Sequence, residues 1–240
     1  MKQIPGKIYL ADQRGHWQTP HLQRFSTFNY QDFYQEHKQP YGDLYLVNEE
    51  TLAGSQNLTY HLDQASHILI IPVTGAVNLS TPANALMPVE VGQVLILTAP
   101  APYSFQLVNP YAQDNICFLQ VRLRAKNGIA EVFTNLIPFT LDDPGNPLTE
   151  IIPGNSVPNV PDYKFRLSLG RFAGRQEITY PLEDNQQFFF AFVLAGAFEA
   201  EGRLLHEKDG LSLWDTPQVE LEALSNNAII LILEWPRAEN

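Results

Sequence analysis

Apolar and polar residues alternate with a period of two along much of this chain. Phe165, Leu167 and Leu169 are interleaved with Arg166, Ser168 and Gly170, and Val219, Leu221 and Ala223 with Glu220, Glu222 and Leu224. Successive side chains of a strand point to opposite faces, so both segments predict strands with one face in water. Other runs are apolar throughout: Ile68–Val73, Val94–Leu97, Phe188–Leu194 and Ala228–Leu233. They are short, rich in β-branched and aromatic residues, and bounded by Gly, Pro or Asn, which predicts strands covered on both faces.

One segment has another period. Ile129, Val132, Phe133, Leu136 and Ile137 recur at helical spacing, with Asn127 placed as an N-cap and Pro138 as a stop. The spacing predicts one short helix. From Pro138 to Tyr163 the chain holds six Pro and two Gly. That many fixed φ angles and missing N–H donors predict a semi-rigid connector.

The two halves resemble each other. Ile70–Val77 matches Ala191–Phe198 as a buried strand running into a Gly-Ala turn. Val91–Ile96 matches Asp209–Leu213, and Ile116–Val121 matches Ile229–Glu234. The three matches keep their order, which is the mark of a duplicated antiparallel barrel. The expected division is 1–125 for the first barrel, 126–163 for helix and connector, and 164–240 for the second. So few residues follow Tyr163 that strands from the connector, or an N-terminal strand at Lys7–Ala11, are expected to complete the second barrel.

Composition narrows the function. The chain has 240 residues with 45% hydrophobic residues and a formal net charge of −11. Length and apolar content suffice for a core without staples. The net charge of residues 1–125 is −2 and that of 126–240 is −9. A polyanion would approach against that field, so nucleic acid and anionic membranes are not expected partners. The start of the chain lacks an apolar run of signal-peptide length, and Phe188–Phe198 is too short to span a bilayer, so the expected location is the cytoplasm. Cys117, the single cysteine, cannot form an internal disulfide and reads as a core residue; a redox role is not legible. Glycine-rich phosphate loops, a nucleophile elbow and a recognisable Ser/His/Asp triad are all missing, so no catalytic residue is assigned. The pairs Glu199/Glu201 and Glu220/Glu222 read as the wet face of a strand.

Three blocks, Arg14-Gly15-His16, Phe25-Ser26-Thr27-Phe28-Asn29-Tyr30 and Gly42-Asp43-Leu44-Tyr45-Leu46-Val47-Asn48, precede Leu52-Ala53-Gly54. In order and spacing they resemble the pirin family of bicupins. Gly196, Gly202, Gly210 and the closing Leu233-Glu234-Trp235-Pro236 extend the resemblance. It implies an all-β chain with two cupin (jelly-roll) β-barrels and the short helix between them.

Metal-bearing pirins hold an iron-type ion in the first barrel through an HxH pair and a later HxE pair. Counted back from Gly75, His61 falls on the first His, Asp63 on the second, and His67 where the general cupin motif has Glu. Tyr103 and Phe105 fall on the later pair. The metal set implied by the resemblance is therefore His61, Asp63 and His67, a degenerate one, and the ligand-pocket set is His61, Asp63, Tyr103 and Phe105. Phe105 has no lone pair for a metal. The second barrel offers Glu177 and Thr179 at the analogous place, without His, and is expected to be metal-free. Two functions follow as expectations. One is a non-catalytic bicupin without a cofactor that binds a small apolar or aromatic ligand or a protein partner. The other is a metal-dependent dioxygenase of the flavonol (quercetin) type, using a single Fe(II)-type divalent ion in the N-terminal barrel.

Overall fold

A computed structural model describes residues 4–83, 86–125, 129–141, 147–153, 163–184 and 186–237. In chain order the first strands are β1 (Gly6–Tyr9), β2 (Gly15–Gln18), β3 (Leu22–Ser26), β4 (Leu44–Leu52), β5 (Asn57–Leu62), β6 (Ser66–Thr74) and β7 (Val77–Ser80). Next come β8 (Met87–Val89), β9 (Gln93–Ala99), β10 (Tyr103–Val108), β11 (Ile116–Arg124), β12 (Phe133–Pro138) and β13 (Leu148–Ile152). The last are β14 (Arg166–Phe172), β15 (Glu177–Pro181), β16 (Gln187–Ala195), β17 (Phe198–Ala200), β18 (Arg203–Leu205), β19 (Gly210–Leu213), β20 (Gln218–Ala223) and β21 (Ala228–Pro236). Two single-turn 3₁₀ helices, Ala11–Gln13 and Glu36–Lys38, are the helical elements among the described residues. None of the described helices is long and apolar enough to cross a membrane.

The strands form two units, Arg14–Phe139 and Met1–Gln13 with Thr140–Asn240. In the first, a seven-stranded sheet runs β12-β9-β6-β11-β4-β3-β2 and a four-stranded sheet β5-β10-β7-β8. In the second, a six-stranded sheet runs β1-β19-β16-β21-β14-β13 and a four-stranded sheet β15-β20-β17-β18. The orders correspond strand for strand except for β2, which has no counterpart in the six-stranded sheet, so each unit is a two-sheet jelly roll closed over its own core. Leu52, Ile68, Ile70, Leu95, Leu97, Phe105 and Phe118 fill the first. Phe172, Phe189, Ala191, Phe198, Leu211, Leu221 and Ile230 fill the second. Gly75 (φ +72°) and Gly196 (φ +76°) make equivalent turns after β6 and β16. An added Cβ at Gly75 would lie 2.8 Å from Ile116 Cγ2, so both backbone sign and close approach demand glycine there.

Two expectations are corrected. The expected helix after residue 128 is a strand: Phe133–Pro138 pairs antiparallel with Gln93–Thr98 of β9, and the Asn127 cap lies outside the described residues. A helix of this length is marginal alone, whereas the open edge of β9 offers a full ladder of backbone partners. The division of the chain differs too. The boundary after 125 moves to Phe139, because β12 keeps those residues with the first unit, while residues before Arg14 join the second, where a strand from the N-terminus is expected. There β1 pairs with β19, Gly6 opposite Leu213 and Tyr9 opposite Gly210, while β13 from the connector pairs with β14.

Candidate functional site

Strands β5 and β10 pair directly: Tyr60 opposes Phe105, Leu62 opposes Tyr103, and His61 opposes Ser104. Directly opposed residues share a sheet face. Tyr60, Leu62, Phe105 and Leu107 belong to the core, with Tyr103 packed against it. His61 is therefore on the outer face. It is exposed and its Nδ1 lies 2.8 Å from Ser104 Oγ. Asp63 is exposed as well. His67 sits on β6 between the core residues Ser66 and Ile68 on the opposite face, half-buried, with its Nδ1 2.8 Å from Thr98 Oγ1. The expected pocket and metal sets thus do not assemble. His61 and Asp63 point away from the barrel interior, because an offset of one residue exchanges the two faces of a strand. Among the described residues no group of three or more His, Cys, Asp or Glu could hold a metal ion.

Burial lowers the His67 pKa to about 4 from an ordinary 6.5. The folded state refuses a proton that the unfolded chain accepts below pH 6.5. Stability is then complete above pH 6.5 and falls as pH drops towards 4, by about 3 kcal/mol in full. His67→Gln keeps a polar partner for Thr98 and removes the titration. Urea melts across this window should show a wild-type acid loss that the variant lacks.

The chemistry of the interior lies on β3, β4 and β11. Leu44, Leu46, Asn48, Glu50 and Leu52 share the inward face of β4. Arg24 on β3 opposes Glu50, and Ser26 opposes Asn48. On β11, Phe118 opposes Glu50, Gln120 opposes Asn48 and Arg122 opposes Leu46. Glu50 is fully buried and Arg24 nearly so. Arg24 Nε donates to Glu50 Oε1 at 2.6 Å, and the Tyr60 hydroxyl donates to Glu50 Oε2. Arg24 Nη1 donates to Gln31 Oε1 at 2.9 Å, and its guanidinium lies 4.9 Å from the Tyr30 ring centroid. Burial, then the neighbouring Glu50 charge, holds the Tyr60 phenol well above its ordinary pKa, so it stays protonated. Burial likewise raises Tyr30.

Tyr60 and Phe105 stack with centroids 5.1 Å apart. The Arg122 guanidinium lies over both, 5.1 Å from the first ring and 5.6 Å from the second. A permanent cation therefore occupies the interior beside β5 and β10. A metal ion does not fit this arrangement. The inward side chains of those strands are rings and leucines, the Glu50 oxygens are taken by Arg24 and Tyr60, and Arg122 would repel a dication.

These residues were within reach of the period-two rule. On Leu44–Leu52 it puts Asn48 and Glu50 among leucines, and on Ile116–Arg124 it puts Gln120 and Arg122 in line with Phe118. A charged residue on an otherwise apolar strand face is the signal.

The second unit carries a relative of this network. The Tyr180 hydroxyl donates to Glu234 Oε2 at 3.0 Å, and Arg166 pairs with the same carboxylate. Burial and the Glu234 charge raise the Tyr180 pKa. Glu177 and Thr179 are on the exposed face of β15, where Glu177 opposes Glu222 and Thr179 opposes Glu220. With Glu199 and Glu201 they line an acidic depression.

Comparison with known proteins can now be set against this geometry. A family model described as the quercetinase C-terminal cupin domain matches residues 163–234. Bacterial pirin YhhW from Escherichia coli in complex with nickel(II) superposes with a TM-score of 0.85 at 15% identity, over 98% of this chain and 100% of that one. The chain has a two-barrel bicupin fold similar to that of bacterial pirin. A quercetin 2,3-dioxygenase from Acinetobacter baumannii shares the bicupin fold, with a TM-score of 0.75 at 15% identity, over 99% of this chain and 88% of that one. YhaK from Escherichia coli does so with a TM-score of 0.71 at 14% identity, over 94% and 95% of the two chains. No curated protein matches this bicupin by sequence.

Proposed function

We propose that this pirin-like bicupin is a non-catalytic binding protein with a degenerate metal site. Its first barrel takes a small, largely apolar or aromatic ligand, or serves a protein partner, in the cytoplasm. The observation that carries this reading is the interior of β5 and β10: Tyr60, Leu62, Tyr103 and Phe105 stand where paired imidazole and carboxylate ligands would have to point inward, and Arg122 lies over the rings. The competing reading, a flavonol dioxygenase, draws on what the Acinetobacter relative is named for and on the nickel(II) in the Escherichia coli pirin. A nickel- or iron-type ion would need imidazole or carboxylate donors that these inward positions lack.

Dioxygen uptake with a flavonol, with and without added Fe(II), tests the reading. The expected result is no uptake above the protein-free control under either condition. Metal-dependent turnover would overturn it. A second expectation concerns His61. Its ring is exposed and makes a polar contact with Ser104, so His61→Ala should shift stability by no more than about 0.5 kcal/mol, read as an unchanged melting temperature.

A further inference from the structure

We propose that the buried polar cluster at Arg122 in the first barrel is a carboxylate-binding site, taking the anionic head of a small monocarboxylate. The inference rests on the binding-protein reading and names its ligand class. Arg122 is 4% exposed. Its Nε and Nη2 are buried with no hydrogen-bond partner among the described residues. Those two N–H groups form one edge of the guanidinium, the side-on fork that matches both oxygens of a carboxylate. The guanidinium lies against the Tyr60 and Phe105 rings, and that edge is buried without a hydrogen-bond partner among the described residues.

The acid nearest in the network cannot serve. Glu50 is engaged by Arg24 and Tyr60, so among the described residues one buried positive charge lacks a counter-ion, an arrangement that is costly without an anion. On the same face of β11, Gln120 is fully buried with both amide atoms unpartnered among the described residues, and so is the Asn48 Oδ1 across from it. These amides supply a donor and acceptors for a hydroxyl or carbonyl beside the carboxylate. One uncompensated cation, with Glu50 close by, selects a monoanion over a dianion. Arg24 and Ser26, which oppose Glu50 and Asn48, line a cavity of about 250 Å³ together with Gly15, Tyr30 and Phe33; Arg122 and Gln120 are not among its lining residues.

The duplication supplies an internal control. Arg122 opposes Leu46 on β4 and Ile68 on β6. Glu234 opposes Arg166 on β14 and Phe189 on β16. The two residues hold equivalent places. In the second barrel the position carries an acid with its arginine opposite; in the first it carries an arginine with leucine opposite. The first copy lacks the carboxylate that the second copy builds in.

The experiment is a thermal-shift and calorimetric titration of the full, metal-free chain with sodium salicylate and sodium benzoate. Sodium chloride at matched ionic strength and inorganic phosphate are the controls. Salicylate should raise the melting temperature saturably through linkage, benzoate less, and the controls should not. Arg122→Met should weaken salicylate binding by about tenfold or more. Leu46→Glu supplies a carboxylate from the protein and should abolish the response while the chain stays folded, so a poorly folding Arg122→Met leaves the test intact. Absence of a saturable response in wild type, an equal response to chloride or phosphate, or a response retained by Leu46→Glu would overturn the site. A missing response together with missing flavonol turnover removes the carboxylate inference alone, whereas metal-dependent turnover removes the binding-protein reading beneath it.

Discussion

Truncation of Glu50 to alanine is expected to destabilise the Arg14–Phe139 unit by about 3–5 kcal/mol. The carboxylate satisfies Arg24 and Tyr60 inside the barrel. Its removal leaves a guanidinium and a phenol buried without their acceptor, and those penalties exceed the loss of the contacts themselves. The equivalent loss in the other unit should be smaller, about 2 kcal/mol, because the Arg166 side chain is 20% exposed where that of Arg24 is 6% exposed, and water can take over part of the role. Glu50→Gln keeps an acceptor and should fall between wild type and alanine. Urea denaturation with hydrogen exchange as the readout assigns each loss to its unit. A Glu50→Ala variant as stable as wild type would contradict the burial of an ion pair there.

The second large effect comes from the start of the chain. Deleting residues 1–10 should lower the stability of the Thr140–Asn240 region by about 3–5 kcal/mol, the cost of losing one buried aromatic side chain, with the lost ladder adding to it. Tyr9 is 2% exposed and its ring centroid lies 6.0 Å from that of Phe190. Without β1 the edge of β19 is open, and open edges recruit other chains. Hydrogen exchange should show protection lost in β16, β19 and β21 and retained in β6, β9 and β11. Loss confined to the first unit would contradict the pairing of β1 with β19.

Much of this architecture is legible in the chain because its signals are local. The apolar runs at Ile68–Val73 and Phe188–Leu194 are strands β6 and β16, and the Gly-Ala turns after them are the positive-φ glycines Gly75 and Gly196. The segment around Phe133 misleads because its spacing fits a helix while its partner, β9, lies more than thirty residues upstream; the open sheet edge outweighs the local period. The site fails to read for a different reason. A count back from Gly75 places His61 on a ligand position, yet the pleat turns it outward and Tyr60 inward. The residues that fill the interior, Arg24, Glu50, Gln120 and Arg122, come from strands far apart in sequence, and only sheet register brings them together.

The central claim is that a fixed guanidinium, set over two aromatic rings, stands in the first barrel in place of a metal. Elemental analysis of protein expressed in metal-supplemented medium, and purified without chelator or nickel resin, tests it most directly. Iron, nickel, manganese and zinc should all be far below stoichiometric, and Arg122→Met should leave them so. Stoichiometric metal in the wild-type protein, lost when Tyr60 or Tyr103 is changed to phenylalanine, would contradict the account.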